Sequence, residues 1–265
     1  NSPVQVTTAT DWAQVVCGVY YTIALKTDGT LYAWGNNEFS QLGLGDTNQR
    51  NSPVQVTTAT DWAQITAGDY HTLAIKSNGT LYAWGYNQYG QLGLGDTADT
   101  TSPVQVGAST DWTQVTAGQY HTVALKSDNT IWTWGLNDKG QLGDGTTADR
   151  FSPNLITGPN WSTVVAGGSH TVAIMDDGSL WTWGLNDKGQ LGDGTSVDRY
   201  VPTRVGTDTD WTSIAAGQNY TLVLKSDGTL WTWGFNNNGQ LGDGTTTDRN
   251  APAQITGTSW TAIAA

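Results

Sequence analysis

The sequence predicts an all-β protein built as a β-propeller of four-stranded antiparallel blades, and three observations carry that expectation. One unit recurs along the whole chain. Trp-Gly falls at Trp34, Trp84, Trp134, Trp183 and Trp233, in steps of 50, 50, 49 and 50 residues. A period of this size with β-type composition belongs to propeller blades rather than helical solenoids. No segment sustains the 3.6-residue apolar period that a packed helix needs. Short apolar stretches alternate with Asn-Gly and Asp-Gly turns, the chemistry of hairpins.

The second unit shows each element in order. Pro53–Val56 reads as an edge strand, because proline has no donor for a central ladder. Trp62–Ala67 runs into Gly68 with small side chains, as strands crowding a central axis require. In Thr72–Lys76 the alternation puts Leu73 and Ile75 on one face and Thr72 and Ala74 on the other. Ser77-Asn78-Gly79-Thr80 predicts a two-residue hairpin turn, and the same chemistry recurs at Ser226–Thr229. Leu81–Trp84 is the fourth strand, and a glycine-rich loop from Gly85 to Asp96 leads to the next unit.

Two further markers keep the same register. Gln-Leu-Gly follows each Trp-Gly, at Gln41, Gln91, Gln141, Gln190 and Gln240, and a second Trp opens each unit at Trp12, Trp62, Trp112, Trp161, Trp211 and Trp260. Asn1–Gln14 recurs unchanged as Asn51–Gln64. The chain reads as one domain over residues 1–265, with repeats at about 1–50, 51–100, 101–150, 151–200 and 201–250 and a partial sixth at 251–265. That gives six copies of the first two strands and five of the last two, whereas seven blades at this period need roughly 350 residues. The arithmetic favours a piece of a longer, seven-bladed array. The alternative is a smaller or open ring that self-associates through exposed strand edges.

The pattern Ala-Gly-x-Tyr-His-Thr-x-Ala-Leu-Lys-x-Asp-Gly-Thr-Leu-Tyr-x-Trp-Gly-x-Asn-x-x-Gly-Gln-Leu-Gly resembles the repeat of the regulator of chromosome condensation family. It reads clearly at Ala67–Gly93 and Ala117–Gly143, and with drift at Ala166–Gly192 and Ala216–Gly242. The resemblance covers essentially the whole chain. It implies a propeller, usually of seven blades, and leaves function open, because the fold hosts exchange factors, inhibitors and adhesion modules alike.

Composition narrows the classes of function. With 23 acidic and 11 basic residues the formal net charge is −12, so the chain has no electrostatic reason to bind nucleic acid or an anionic membrane surface. No apolar run approaches membrane-spanning length, and the Asn-Ser-Pro start looks cut, with neither Met nor a signal pattern. Few lysines, many Asn, Thr and Gly, and near-copied units suit an extracellular or cell-surface array. The single Cys17 stands where later units have Ala67, Ala117, Ala166 and Ala216, and reads as a small buried apolar residue.

The candidate chemistry favours a scaffold over an enzyme. Nucleophile elbows, phosphate loops and metalloprotease His-Glu pairs are missing from the sequence. His71, His121 and His170 share one repeat position, which Tyr21 and Tyr220 fill in other units. Such residues are spaced around a ring rather than gathered on one ion, so each is expected to hydrogen-bond within its own blade. Gly-Asp-Gly-Thr at Gly143–Thr146, Gly192–Thr195 and Gly242–Thr245 reads as loop capping, since a calcium loop needs several carboxylates at alternating positions. No metal and no cofactor is expected.

The units differ chiefly in two loops that the up-down strand order places on one face. The first carries Val19, Asp69, Gln119, Gly168 and Gln218, flanked by Tyr20, Tyr70 and Tyr120. The second carries Asn36, Tyr86, Leu136, Leu185 and Phe235, with Phe39 and Tyr89 replaced later by Lys139, Lys188 and Asn238. Aromatic, non-identical loops on a rigid scaffold make a protein-binding face. The function expected is therefore non-enzymatic protein binding or scaffolding, with two alternatives: guanine-nucleotide exchange on a small GTPase and carbohydrate binding.

Overall fold

The computed structural model describes residues 5–158, 160–257 and 259–265; the Asn1-Ser2-Pro3 start lies outside them. The first sheet comprises β1 (Trp12–Gly18), β2 (Tyr21–Lys26), β3 (Leu31–Gly35) and β4 (Arg50–Gln55). The second comprises β5 (Trp62–Ala67), β6 (His71–Lys76), β7 (Leu81–Gly85) and β8 (Thr100–Gln105). The third comprises β9 (Trp112–Ala117), β10 (His121–Lys126), β11 (Ile131–Gly135) and β12 (Arg150–Ile156). The fourth comprises β13 (Trp161–Ala166), β14 (His170–Met175), β15 (Leu180–Gly184) and β16 (Arg199–Arg204). The fifth comprises β17 (Trp211–Ala216), β18 (Tyr220–Lys225), β19 (Leu230–Gly234) and β20 (Arg249–Gln254). Every pairing is antiparallel between chain neighbours, so each sheet is a meander.

Blade and sequence unit are out of phase by one strand. The proline-bearing stretch that opens the second unit pairs with β3 and completes the first blade from outside. Its proline is tolerated there, as an outermost strand needs no ladder donor on its free side. The inner strands β1, β5, β9, β13 and β17 pack against one another in chain order. Their Gly and Ala ends surround an axial cavity of about 510 Å³.

Alternation along each strand assigns side chains to the two blade interfaces. Leu73 and Ile75 join Trp112, Val115 and Trp134 of the third blade, whereas Ala74 joins Ile23, Leu31 and Ala33 of the first. Both faces of a middle blade are thus buried, which is why β6 and β10 are almost wholly inaccessible. The outward face of the first blade has no neighbour among the described residues. Val15 there is 61% exposed, where Ile65 in the equivalent place is 2% exposed.

Three expectations need correction. The turn at Ser77–Gly79 is a three-residue loop: Gly79 N donates to Lys76 O at 2.9 Å, Lys76 N donates to Thr80 O at 2.9 Å, and Gly79 has φ +77°. That is a type I turn closed by a left-handed glycine, a geometry that suits strand twist as well as a two-residue turn does. Cys17 is exposed rather than buried, because it sits at the axial opening on the uncovered side of the first blade. The stretch opening at Trp260 forms no strand, since among the described residues no hairpin partner pairs with it, and Trp260 is half-exposed.

Candidate functional site

The face that differs between units is built by the Trp-Gly dipeptide. Each blade slips register between strands three and four at this point, as between Ala83 and Gly85 in the second blade. Gly85 has φ +100°, and a Cβ there would stand 2.6 Å from the Tyr70 carbonyl oxygen, so only glycine fits. The close approach lets Tyr86 N donate to Tyr70 O at 3.0 Å. Equivalent bonds run from Asn36 to Tyr20, Leu136 to Tyr120, Leu185 to Ser169 and Phe235 to Asn219. The two variable loops of every blade therefore meet at one end of the molecule.

At the axis, the first loops are linked into an arc. Val19 N donates to Asp69 O, Asp69 N to Gln119 O, Gln119 N to Gly168 O and Gly168 N to Gln218 O, over 2.9–3.4 Å. A Cβ at Gly168 would lie 2.6 Å from Gln218 O, although Val19, Asp69 and Gln119 make the same bond while carrying side chains. These five sequence-predicted residues are thus brought together by backbone bonds, and all five line the axial cavity.

The repeated markers prove to be ties from one blade to the next. The Gln41 carbonyl accepts from Trp84 Nε1 at 3.0 Å and from the Thr72 hydroxyl at 2.8 Å, both in the second blade. The Gln41 side chain meanwhile caps its own loop through Phe39 N. Gly45 N reaches the next outer strand at Thr101 O, as Gly95, Gly145 and Gly194 reach theirs. The Gly-Asp-Gly-Thr loops are saturated. Asp193 Oδ1 accepts from Thr195 N, Thr195 Oγ1 and Asn186 Nδ2, and Oδ2 accepts from Arg199 Nε at 2.6 Å. Burial alone would raise this carboxyl, but the Thr195 and Arg199 hydrogen bonds outweigh it and hold the pKa below the ordinary value. With its oxygens so engaged, the loop is a capped clasp, and among the described residues no group of three or more His, Cys, Asp or Glu gathers as metal ligands.

The histidines are also ties across blades, which corrects the expectation of bonds within one blade. His71 Nε2 lies 3.4 Å from Thr122 Oγ1 of the third blade, His121 Nε2 3.3 Å from Thr171 Oγ1, and His170 Nε2 3.1 Å from Thr221 Oγ1. Each threonine hydroxyl already donates to a Gln carbonyl, at 2.8–2.9 Å. Its oxygen is left to accept, so each imidazole is neutral with the proton on Nε2. Nδ1 is buried without a partner in all three. Burial lowers the pKa to about 3 at His71, about 3 at His121, where His170 and His71 add to the effect, and about 4 at His170. Tyr21 makes the same crossing: its hydroxyl donates to His71 O at 2.7 Å and lies 3.2 Å from the Thr72 hydroxyl.

The aromatic candidates divide into two groups. Phe39, Tyr70, Tyr86, Tyr89 and Tyr120, from three blades, pack into one slab. Phe39 meets Tyr70 and Tyr86 at centroid distances of 5.0 and 5.1 Å. Tyr86 is central, with Tyr89 at 6.2 Å and Tyr120 at 6.0 Å. Tyr89 packs on Tyr120 at 5.3 Å, and Tyr70 stacks on Tyr120 at 6.4 Å with planes 24° apart. The rings are half-buried by one another. Tyr20 stands apart, 83% exposed with φ +64°. Leu136, Leu185 and Phe235 lie in the same loop position of later blades but join no such cluster; among the described residues no ring packs on Phe235.

Sequence reasoning missed Asp99. Asp99 Oδ1 accepts from Asn87 N at 2.8 Å, and its charge, after burial, helps raise the Tyr86 pKa. The signal was available, because Asp149, Asp198 and Asp248 bond the equivalent Asn in the same way.

Repeated four-stranded blades, tied in sequence around a shared axis, define a tandem-repeat β-propeller. The description "Regulator of chromosome condensation (RCC1) repeat" matches residues 28–75, 78–125, 128–174, 177–224 and 227–265, and a second pattern of that description matches 12–41, 62–91, 112–141, 161–190 and 211–240. The chain belongs to the regulator of chromosome condensation (RCC1) repeat family. Human WBSCR16 superposes with TM-score 0.84 at 23% identity, over 93% of this chain and 67% of that one. Yeast RCC1 (Prp20), in complex with Kap60, superposes with TM-score 0.83 at 24% identity, over 93% of this chain and 61% of that one. Prp20p of Saccharomyces cerevisiae, described with its binding properties to Gsp1p and histones, gives TM-score 0.82 at 25% identity, over 93% and 63%. The chain thus spans 61–67% of the length of these proteins.

Proposed function

We propose that this chain is a non-enzymatic protein-binding propeller whose partner docks on the loop end of the first three blades. The observation that carries the reading is the slab of Phe39, Tyr70, Tyr86, Tyr89 and Tyr120, gathered from three blades by loops that the scaffold holds rigidly. Aromatic rings offer large contact area at low entropic cost, which makes them common anchors of interfaces. Likeness to Prp20, which binds Kap60, Gsp1p and histones, supports the class of function. Proximity capture with the intact chain tests it. Partner recovery is expected to fall at least tenfold with Tyr86→Ala and to stay unchanged with Phe235→Ala. Equal recovery from both variants moves the interface away from the slab.

Guanine-nucleotide exchange on a small GTPase is the second reading, carried by the family's exchange factors. Blades stepping evenly at 49–50 residues supply no inserted element for that task. A nucleotide-release assay decides between the two.

A further inference from the structure

Charge is distributed unevenly over the loop end. The loops of the aromatic part, residues 19–20, 36–50, 69–70, 86–99 and 119–120, hold Glu38, Asp46, Asp69, Asp96 and Asp99 against Arg50 alone. Arg50 is already paired with Asp46 at 2.7 Å. The slab is therefore bordered by carboxylates with no free cation among these loops. Asp69 lies beside Tyr70 in sequence, and its backbone N donates to Gln119 O at 3.4 Å, next to Tyr120; its charge, after burial, helps raise the Tyr120 pKa. Asp99 stands in the same relation to Tyr86. No hydroxyl of Tyr70, Tyr86, Tyr89 or Tyr120 makes a hydrogen bond among the described residues.

The molecule shows elsewhere what such a constellation holds. Lys26, Lys76, Lys126 and Lys225 each place the ammonium 4.6–5.2 Å from the centroids of two aromatic rings. Each is also paired with a carboxylate, Asp11, Asp61, Asp111 or Asp210, at 3.0–3.3 Å. Two ring faces and one carboxylate are thus the chain's own recurrent cradle for a cation. The slab brings the same kinds of group, aromatic rings and the carboxylates of Asp69 and Asp99, together on the loop end.

We propose that the tyrosine slab is the docking site of a basic segment of a partner protein, whose Arg or Lys side chains lie on Tyr86 and Tyr120 and pair with Asp69 and Asp99. The inference rests on the protein-binding reading above and names its partner's chemistry. Guanidinium is the better fit, because its flat face stacks on a ring while its edge still donates to a carboxylate.

The test is fluorescence anisotropy with the intact chain and four labelled peptides: six Arg-Gly repeats, six Lys-Gly repeats, six Glu-Gly repeats, and an uncharged proline-rich peptide. The Arg peptide is expected to bind at least tenfold more tightly than the Glu or Pro peptide, and at least as tightly as the Lys peptide. Tyr86→Ala, which leaves net charge unchanged, and Asp69→Asn are each expected to weaken it at least fivefold. Tyr86→Phe keeps the ring face and is expected to retain binding within twofold. Asp227→Asn removes the same charge from the Ser226–Thr229 turn and is expected to change binding less than twofold. Far-ultraviolet circular dichroism and melting temperature confirm that each variant folds.

Equal losses from Asp227→Asn and Asp69→Asn reduce the effect to net charge and overturn the proposal. Preference for the Pro peptide assigns the slab to another ligand and also overturns it. If partner capture needs Tyr86 but the Arg peptide does not bind, the basic chemistry falls while the protein-binding reading stands.

Discussion

The loop end of this propeller is two surfaces on one scaffold. Over the first two blades and the axial loop of the third it presents packed aromatic rings and carboxylates of which only Asp46 is in an ion pair; over the outer loops of the third to fifth blades it presents ion pairs closed upon themselves. The difference begins with one residue exchange in the Gln-Leu-Gly loop. Leu44 and Leu94 pack against the cores between the early blades, whereas Asp144, Asp193 and Asp243 take that place later. Each buried aspartate then recruits Arg150, Arg199 or Arg249, at 2.5–2.8 Å. Asp46 pairs with Arg50 from a more exposed position, and Asp96 makes no ion pair among the described residues, where Thr100 occupies the arginine position. Lys139 and Lys188 lie where Phe39 and Tyr89 stand earlier, and are paired with Asp138 and Asp187. A loop whose charges are satisfied internally has little to offer a partner. A loop whose charges remain open does.

Both surfaces rest on the buried histidine ties, so acid is the largest lever on the whole comparison. Each histidine has its folded pKa far below the ordinary 6.5, hence the unfolded chain takes up the proton first. Stability is full above about pH 6.5 and falls as pH drops toward 3–4, by about 1.4 kcal/mol per pH unit for each histidine. Urea midpoints between pH 7 and pH 4 measure this. A variant carrying tyrosine at 71, 121 and 170, the residue already present at Tyr21 and Tyr220, is expected to flatten the profile. An unchanged slope would show that the histidines do not govern acid unfolding.

Breaking a clasp separates the halves next. Asp193→Asn leaves Arg199 without its buried partner and is expected to cost about 2 kcal/mol in urea unfolding. Asp96→Asn, which breaks no ion pair, should stay within about 0.5 kcal/mol. Similar losses at both sites would mean that the buried clasps do not set the later loops apart from the early ones. A smaller effect is expected in the fourth blade, where Met175 and Asn160 stand in place of the Lys-Asp pairs of the other blades. Joint Met175→Lys and Asn160→Asp substitution should seat an ammonium between Trp161 and Trp181 and raise stability by about 0.5 kcal/mol. A lower melting temperature would mean that this pair of tryptophans cannot hold the cation their counterparts hold.

Much of the fold was legible because propeller physics repeats. Trp62–Ala67 coincides with β5, and the faces assigned to Leu73, Ala74 and Ile75 match the two interblade cores. The functional candidates were legible only as positions. Sequence spacing put Tyr86 and Phe235 on equal footing, since both follow Trp-Gly. It could not show that Tyr86 lies within reach of rings from two other blades while Phe235 has none. Nor could it show that His71 reaches forward to Thr122, because a side chain's partner across an interface depends on which strands become neighbours.

By itself the sequence determined the period, the strand content, the turn sites and the glycines that loops require, because these depend on local conformational preference and on spacing along the chain. The tertiary structure alone decided which unit lends its outer strand to which blade, which carboxylates are spent on arginine, and which tyrosines share one surface. Those outcomes turn on distances between residues about 50 positions apart, and only the packing of one blade against the next fixes them.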